Sequence, residues 1–169
     1  MQTIYVLPNN KKLSRTSFLR YFEKKVLYTV RKFNMLRKEA ASVKKESFLN
    51  SKVLLHLLEK SHFPLAKKSN IVALNDCTDD IASLILESWF KTKSQEKLAP
   101  HFIKNKIKFI RPFYLITEKE IEIYAKLKGI KGKLKKKTKA RILLDRLEQF
   151  HPEIKRATLS SYSQLLKAS

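Results

Sequence analysis

Residues 110–125, IRPFYLITEKEIEIYA, decide the fold. The strand predicted over Ile107–Ile110 closes at Arg111-Pro112, because a proline carries no amide for a sheet ladder. Thr117 then stands three residues ahead of Glu120, the spacing at which a hydroxyl and a carboxylate satisfy each other's orphan amides at a helix start. The helix predicted from there runs to about Lys128 and stops at Gly129. A strand that feeds a capped helix through a short loop is the repeating unit of an α/β protein.

Working outward, Asn70–Leu74 (NIVAL) reads as a buried strand. Asp76 or Thr78 is the expected cap of a helix from Asp79 to about Lys91, with Ile81, Leu84, Ile85, Ser88 and Trp89 on its inner face. Ser51–Leu58 (SKVLLHLL) is a buried helix in which His56 reads as a satisfied core histidine. Ala40–Phe48 gives no clear element. Near the N-terminus Thr3–Leu7 looks like a short strand. Phe18, Phe22, Val26, Val30 and Phe33 then line one face of a helix from about Ser17 to Asn34, with Arg20, Lys24, Lys25, Arg31 and Lys32 on the other. Beyond Gly129 comes a charge run, Lys131–Lys139 (KGKLKKKTK), expected to order only on a partner. Helices follow at about Lys139–Phe150, with a stripe of Leu143, Leu144, Leu147 and Phe150, and at Ile154–Lys167. The expected organisation is a basic N-terminal extension over 1–16, an α/β core with a parallel sheet over 17–130, and a Lys-rich loop with C-terminal helices over 131–169.

Charge narrows the function. The 169 residues hold 37 Lys and Arg against 15 Asp and Glu, a net +22. A surplus of that size repels itself in a compact fold and calls for a polyanionic partner. Cys77 is the sole cysteine, so an intramolecular disulfide framework and a cysteine-based zinc site are excluded within these residues. The four histidines are scattered, and no metal is expected. No apolar run approaches the roughly 20 residues that cross a bilayer, so no membrane partner is expected. The basic N-terminal stretch, with Glu23 its only acid before Glu39, has the bias of an organellar leader, but its helical patterning favours a cytoplasmic protein.

Three segments resemble one family. Ala73–Ala82 (ALNDCTDDIA) is similar to the A-L-G-H-x-x-D-D-x-x-E-T segment of the PP-loop ATP pyrophosphatases, specifically the tRNA thiolases that make 2-thiocytidine or 2-thiouridine. Ile110–Ala125 is similar to their I-R-P-L-x-x-x-x-E-x-E-I-x-x-Y-A, and Leu147–Pro152 (LEQFHP) to the helix end that follows. The resemblance implies a reduced adenine-nucleotide α-hydrolase-like, Rossmann-like α/β fold. Two departures from the family's pattern decide the expected function. Where the family's S-G-G-x-D-S loop wraps the ATP phosphates, this chain has Glu46, Ser47, Phe48, Leu49, Asn50 and Ser51, with neither glycine. The family's catalytic cysteines are also absent, and Cys77 stands at a histidine position of its motif. Asp79 and Asp80, on adjacent positions of one helix, read as first-turn acids complementing the helix dipole.

The resulting expectation is a non-catalytic RNA-binding protein without cofactor, a ribosome-associated protein on rRNA beside neighbouring ribosomal proteins. The alternative is a divergent tRNA thiolation enzyme, or an accessory subunit, that binds tRNA. A DNA-binding reading lacks any base-reading motif. The residues expected at phosphates are Lys11, Lys12, Arg15, Arg20, Lys24, Lys25, Lys44, Lys45, Arg111, Lys131, Lys133, Lys135, Lys136, Lys137, Lys139 and Arg141, with Tyr5, Phe18 and Tyr162 as candidates to stack on splayed bases.

Overall fold

The structure, a computed structural model, describes residues 3–37, 39–44, 46–60, 65–91 and 98–168. In chain order the elements are β1 (Tyr5–Val6), β2 (Lys12–Leu13), α1 (Arg15–Lys32), β3 (Ser42–Val43), α2 (Leu49–Lys60), β4 (Ile71–Ala73), α3 (Thr78–Lys91), β5 (His101–Lys104), β6 (Ile107–Ile110), α4 (Glu118–Lys128), α5 (Lys139–Glu148) and α6 (Ile154–Ala168). β1 and β2 form a small antiparallel hairpin, and the main sheet has the order β3-β4-β6-β5. Its centre is parallel, with Val72 opposite Ser42 on one side and Phe109 on the other. The expected parallel α/β sheet is therefore present, with β5 as an antiparallel edge.

Three strands escape the sequence pattern: β2, which is the second arm of the small hairpin, and two strands of the main sheet. β3 falls in the stretch that showed no element; it is two residues long and exists through its pairing with β4, reinforced by the Ser42 hydroxyl donating to the Ile71 carbonyl at 3.2 Å. β5 is joined to β6 through Asn105 and Lys106, whose φ values of 51° and 63° are those of a mirror-image hairpin turn. That turn normally carries glycine at its second position, where this chain has Lys106, so residues 105–106 do not read as a hairpin turn.

The helices pack in two groups, α1 and α2 each against α4, and α3, α5 and α6 against one another. Phe22 of α1 stacks on Tyr124 of α4 with ring centroids 4.4 Å apart, and the core continues through Val53, Leu54, Ile81, Ile85, Ile110, Phe113 and Ile121 to Leu144 and Tyr162. The Thr117–Glu120 capping box is formed in both directions, and Gly129 closes α4 with φ 70°. At α3 neither Asp76 nor Thr78 caps. The Thr78 hydroxyl donates to the Tyr114 carbonyl, and the Asp80 carboxylate reaches back to the Cys77 amide at 3.1 Å.

The apolar stripe expected on α5 is corrected: only Leu144 is buried, while Leu143, Leu147 and Phe150 are 43%, 37% and 78% exposed. The face that α5 turns inward is Arg141, Leu144, Asp145 and Glu148, one helical stripe in which ion pairs take the place of leucines. Phe18 and Tyr162, expected to stack on bases, are fully buried, and Tyr5 lies half-buried against Phe18 and Tyr21. Among the described residues no helix is long and apolar enough to cross a membrane.

The segment after α4 is ordered against the β3–α2 loop rather than loose. Gly132 passes so close that a Cβ there would meet the Leu49 Cα at 2.7 Å and its amide nitrogen at 2.8 Å. Gly132→Ala is therefore expected to lower stability by roughly 1–3 kcal/mol, the range for overpacking, read as a reduced midpoint in urea unfolding.

Candidate functional site

In an α/β sheet, ligands bind beyond the carboxyl ends of the parallel strands. In this chain that edge is built from Lys44 and residues 46–51 after β3, Asn75 and Asp76 after β4, and Arg111 after β6. Above them lies an open cleft of about 170 Å³ lined by Asp76, Asp80, Glu118, Lys135, Lys136 and Arg141 among others, smaller than the roughly 300–1,000 Å³ of a site that engulfs a drug-sized ligand.

The loop is stitched from within. Ser51 Oγ donates to the Lys44 carbonyl at 2.8 Å and accepts from the Glu46 amide at 3.3 Å. Glu46 pairs with Lys44 at 2.9 Å and accepts from Asn75 Nδ2 at 2.9 Å, and the Lys44 contact holds its carboxyl below the ordinary range, hence negative. The start of α2, where an anion would sit on unpaired amides, is covered by the chain itself. The Leu49 amide donates to the Lys133 carbonyl at 2.8 Å, and the Lys133 amide donates to the Ser47 carbonyl at 3.2 Å. Phe48 and Lys133 thus form a parallel bridge across the loop.

Beside this bridge the carboxylates and cations close on each other. Lys135 Nζ sits 3.1 Å from Asp76 and 2.9 Å from Asp80. Burial opposes its charge, but the two carboxylates outweigh burial and raise its pKa above the lysine norm. Arg111 pairs with Asp76 at 3.3 Å and lies over the Phe102 ring. Asp79 holds the Glu118 amide at 2.6 Å, Arg141 at 3.2 Å and Lys155 at 2.7 Å. Lys155 Nζ also meets Asp145 at 2.7 Å and Glu148 at 2.6 Å. The carboxylates of Asp79, Asp145 and Glu148 lie close enough to share a metal ion, but the Lys155 ammonium stands in that position. Burial raises the Asp145 pKa, yet hydrogen bonds from Lys137, Lys155 and Arg141 more than reverse this and hold it well below the usual range. Cys77 is fully buried, and burial together with Asp80 and Asp79 pushes its thiol pKa up, so it carries no thiolate.

The residues expected at phosphates divide. Lys11, Lys12, Arg20, Lys24, Lys44, Lys131, Lys133, Lys136 and Lys139 have exposed side chains, as does Arg15, which also donates to the Leu127 carbonyl. Lys25 turns inward to the buried Glu120 at 2.7 Å, and Lys135, Lys137, Arg111 and Arg141 serve carboxylates of the fold. Lys45 lies outside the described residues. Sequence reasoning passed over Lys155, Glu118 and Asp145, and no local signal distinguishes Lys155 from any lysine of a surface helix. His56 also departs from its reading: Nε2 is buried without a hydrogen-bond partner among the described residues, the ring lies edge-on to Tyr124, and burial lowers its pKa, so it is neutral.

No family model and no curated protein matches the sequence. Solved structures do match. One described as the U34-tRNA thiolase NcsA from Methanococcus maripaludis with its 4Fe–4S cluster superposes with a TM-score of 0.77 at 14% identity, over 98% of this chain and 84% of that one. The chain therefore has the fold of a PP-loop tRNA thiolase, as its motifs implied. The expectation that it is not an enzyme is corrected: a fold matched over 98% of its length by a thiolase gives no ground for excluding catalysis, and nothing in it points to the ribosome. A cluster of that kind is held by several cysteine thiolates, which a chain with Cys77 alone does not supply.

Asp79→Ala leaves Lys155 and Arg141 short of their buried counter-ion and is expected to cost about 3–5 kcal/mol in chemical denaturation. Asp145→Asn is also destabilising, with a defined pH dependence. A carboxyl whose folded pKa lies below its unfolded value of about 3.9 contributes fully above about pH 5 and loses its contribution as the pH falls towards the folded value. The stability gap between wild type and Asp145→Asn is therefore expected to be flat from pH 5 to 7 and to narrow below pH 4.

Proposed function

We propose that this chain is a tRNA-binding protein of tRNA thiolation, a divergent thiolase or the tRNA-holding subunit of one, whose sulfur-carrying thiols come from a second protein. The observation that carries the reading is the thiolase fold over 98% of the chain combined with a charge of +22. The site adds to it. Asp76, Asp79, Asp80, Glu118, Glu120, Asp145 and Glu148 are engaged with nearly as many internal cations, so the surplus resides on the outer residues. A surface of one sign that tracks phosphates supplies affinity without sequence preference. The buried thiol of Cys77 is the reason for assigning sulfur delivery to a partner.

The test is the RNA that the native protein retains at moderate salt: tRNA is expected, and a preparation dominated by rRNA would overturn the reading. Joint replacement of Lys131, Lys133, Lys136 and Lys139 by Glu is expected to weaken tRNA binding evenly across tRNA species. It should also flatten the log–log salt dependence by up to about 0.9 for each lost contact, measured by filter binding over a salt series.

A further inference from the structure

The outward stripe of α1 carries more than charge. Arg20, Lys24, Arg31 and Lys32 are all exposed, and among them stands Tyr28, 55% exposed. Tyr28 lies one turn from Lys24 on one side and from Lys32 on the other, so all three occupy one line of the helix surface. Lys32 Nζ sits 5.6 Å from the Tyr28 ring centroid, a cation–π contact that leaves much of the ring open to solvent. Among the described residues the other strongly exposed aromatic rings are differently placed: Phe90 shares its groove with Glu87, and Phe150 stands in a stretch that includes Glu148 and Glu153. No carboxylate lies on the Arg20–Lys24–Tyr28–Arg31–Lys32 stripe, since Glu23, the only acid of α1, turns aside to Tyr124 and Lys128.

An aromatic ring held in a row of cations fits a single-stranded nucleic acid. The π-face takes a base of any identity while the ammonium and guanidinium groups meet the phosphates on either side. A solvating helix face needs no tyrosine there, and a protein partner of this surface would have to be strongly acidic. We infer that Tyr28 is a stacking platform for an unpaired base of a bound RNA, with Lys24, Arg31 and Lys32 on the flanking phosphates. This site rests on the tRNA-binding reading and sharpens it: the contact is to a loop or single-stranded end, where bases are free to leave the stack.

The experiment uses the full chain with two probes, tRNA and an unstructured RNA oligonucleotide carrying 2-aminopurine. Wild type is expected to bind both and to quench the 2-aminopurine fluorescence. Tyr28→Ala should lose the quenching and bind roughly five- to tenfold more weakly, the lower end of base–aromatic stacking, with an unchanged salt slope because no charge is removed. Tyr28→Phe should keep both properties. As an exposed residue, Tyr28 is replaceable without harm to the fold, which an unchanged unfolding midpoint verifies. Tyr28→Ala that quenches and binds like wild type would overturn the stacking site and leave the tRNA reading standing. A wild-type protein that binds neither probe would overturn both.

Discussion

Asp79 is the hinge of the architecture. One oxygen of this buried carboxylate accepts the first amide of α4, and the other faces Arg141 of α5 and Lys155 of α6. Three helices are thereby referred to one side chain on the first turn of α3. Buried ion pairs add little net stability against apolar packing, because desolvation offsets most of the attraction. What they add is position, since a misplaced helix would leave an uncompensated charge in the interior. That explains why α5 docks with leucines facing water: register is fixed by Arg141, Asp145 and Glu148, and Leu144 alone supplies the apolar contact.

Fixing α5 also fixes what precedes it. Residues 130–138 must cross from the end of α4 to the start of α5, and this path leads over the β3–α2 loop. Lys135 is held there between Asp76 and Asp80, and the Lys133 carbonyl meets the Leu49 amide. The charge run thus has two sides: Lys135 turns down to Asp76 and Asp80 and Lys137 reaches Asp145 of α5, while Lys131, Lys133, Lys136 and Lys139 turn out. The carboxylates are withdrawn from the surface in the process, and this makes the exterior more uniformly cationic than the composition alone conveys.

The parts of the fold legible in the sequence are those set by local chemistry. The capping box at Thr117–Glu120 and the stop at Gly129 involve residues a few positions apart, β4 is a continuous apolar run, and β6 is apolar at three of its four positions and closed by Arg111-Pro112. β3 was illegible because it is two residues long and stabilised by β4, some thirty residues on, and β5 because the Asn105-Lys106 turn that joins it to β6 lacks the glycine that marks such hairpins. The same limit applies to the site. A count of lysines and arginines says nothing of which side they face, so Lys25, Arg111 and Arg141 passed for RNA contacts although each neutralises a carboxylate of the fold. The aromatic residues were readable in principle. Phe18 belongs to the Phe18–Phe22–Val26–Val30 stripe and is buried, whereas Tyr28 falls off that stripe among cations.

The two glycines of the chain bear on the geometry around residues 46–51. In the thiolase family that this fold resembles, loop glycines let the backbone come close to a pyrophosphate. Here the loop positions carry side chains, and the residue that approaches α2 without a Cβ is Gly132, from the segment lying over it. A polar group does approach the first amide of α2 closely, and it is a peptide carbonyl of the same chain, that of Lys133. Gly129 serves the same end, because its left-handed φ turns the chain out of α4 towards the loop. With the Leu49 amide paired and Glu46 negative beside it, this arrangement offers a free phosphate no unpaired donor at Leu49 and an adverse charge. Exposed cations stand instead on the outer lysines of 131–139 and on the outward stripe of α1.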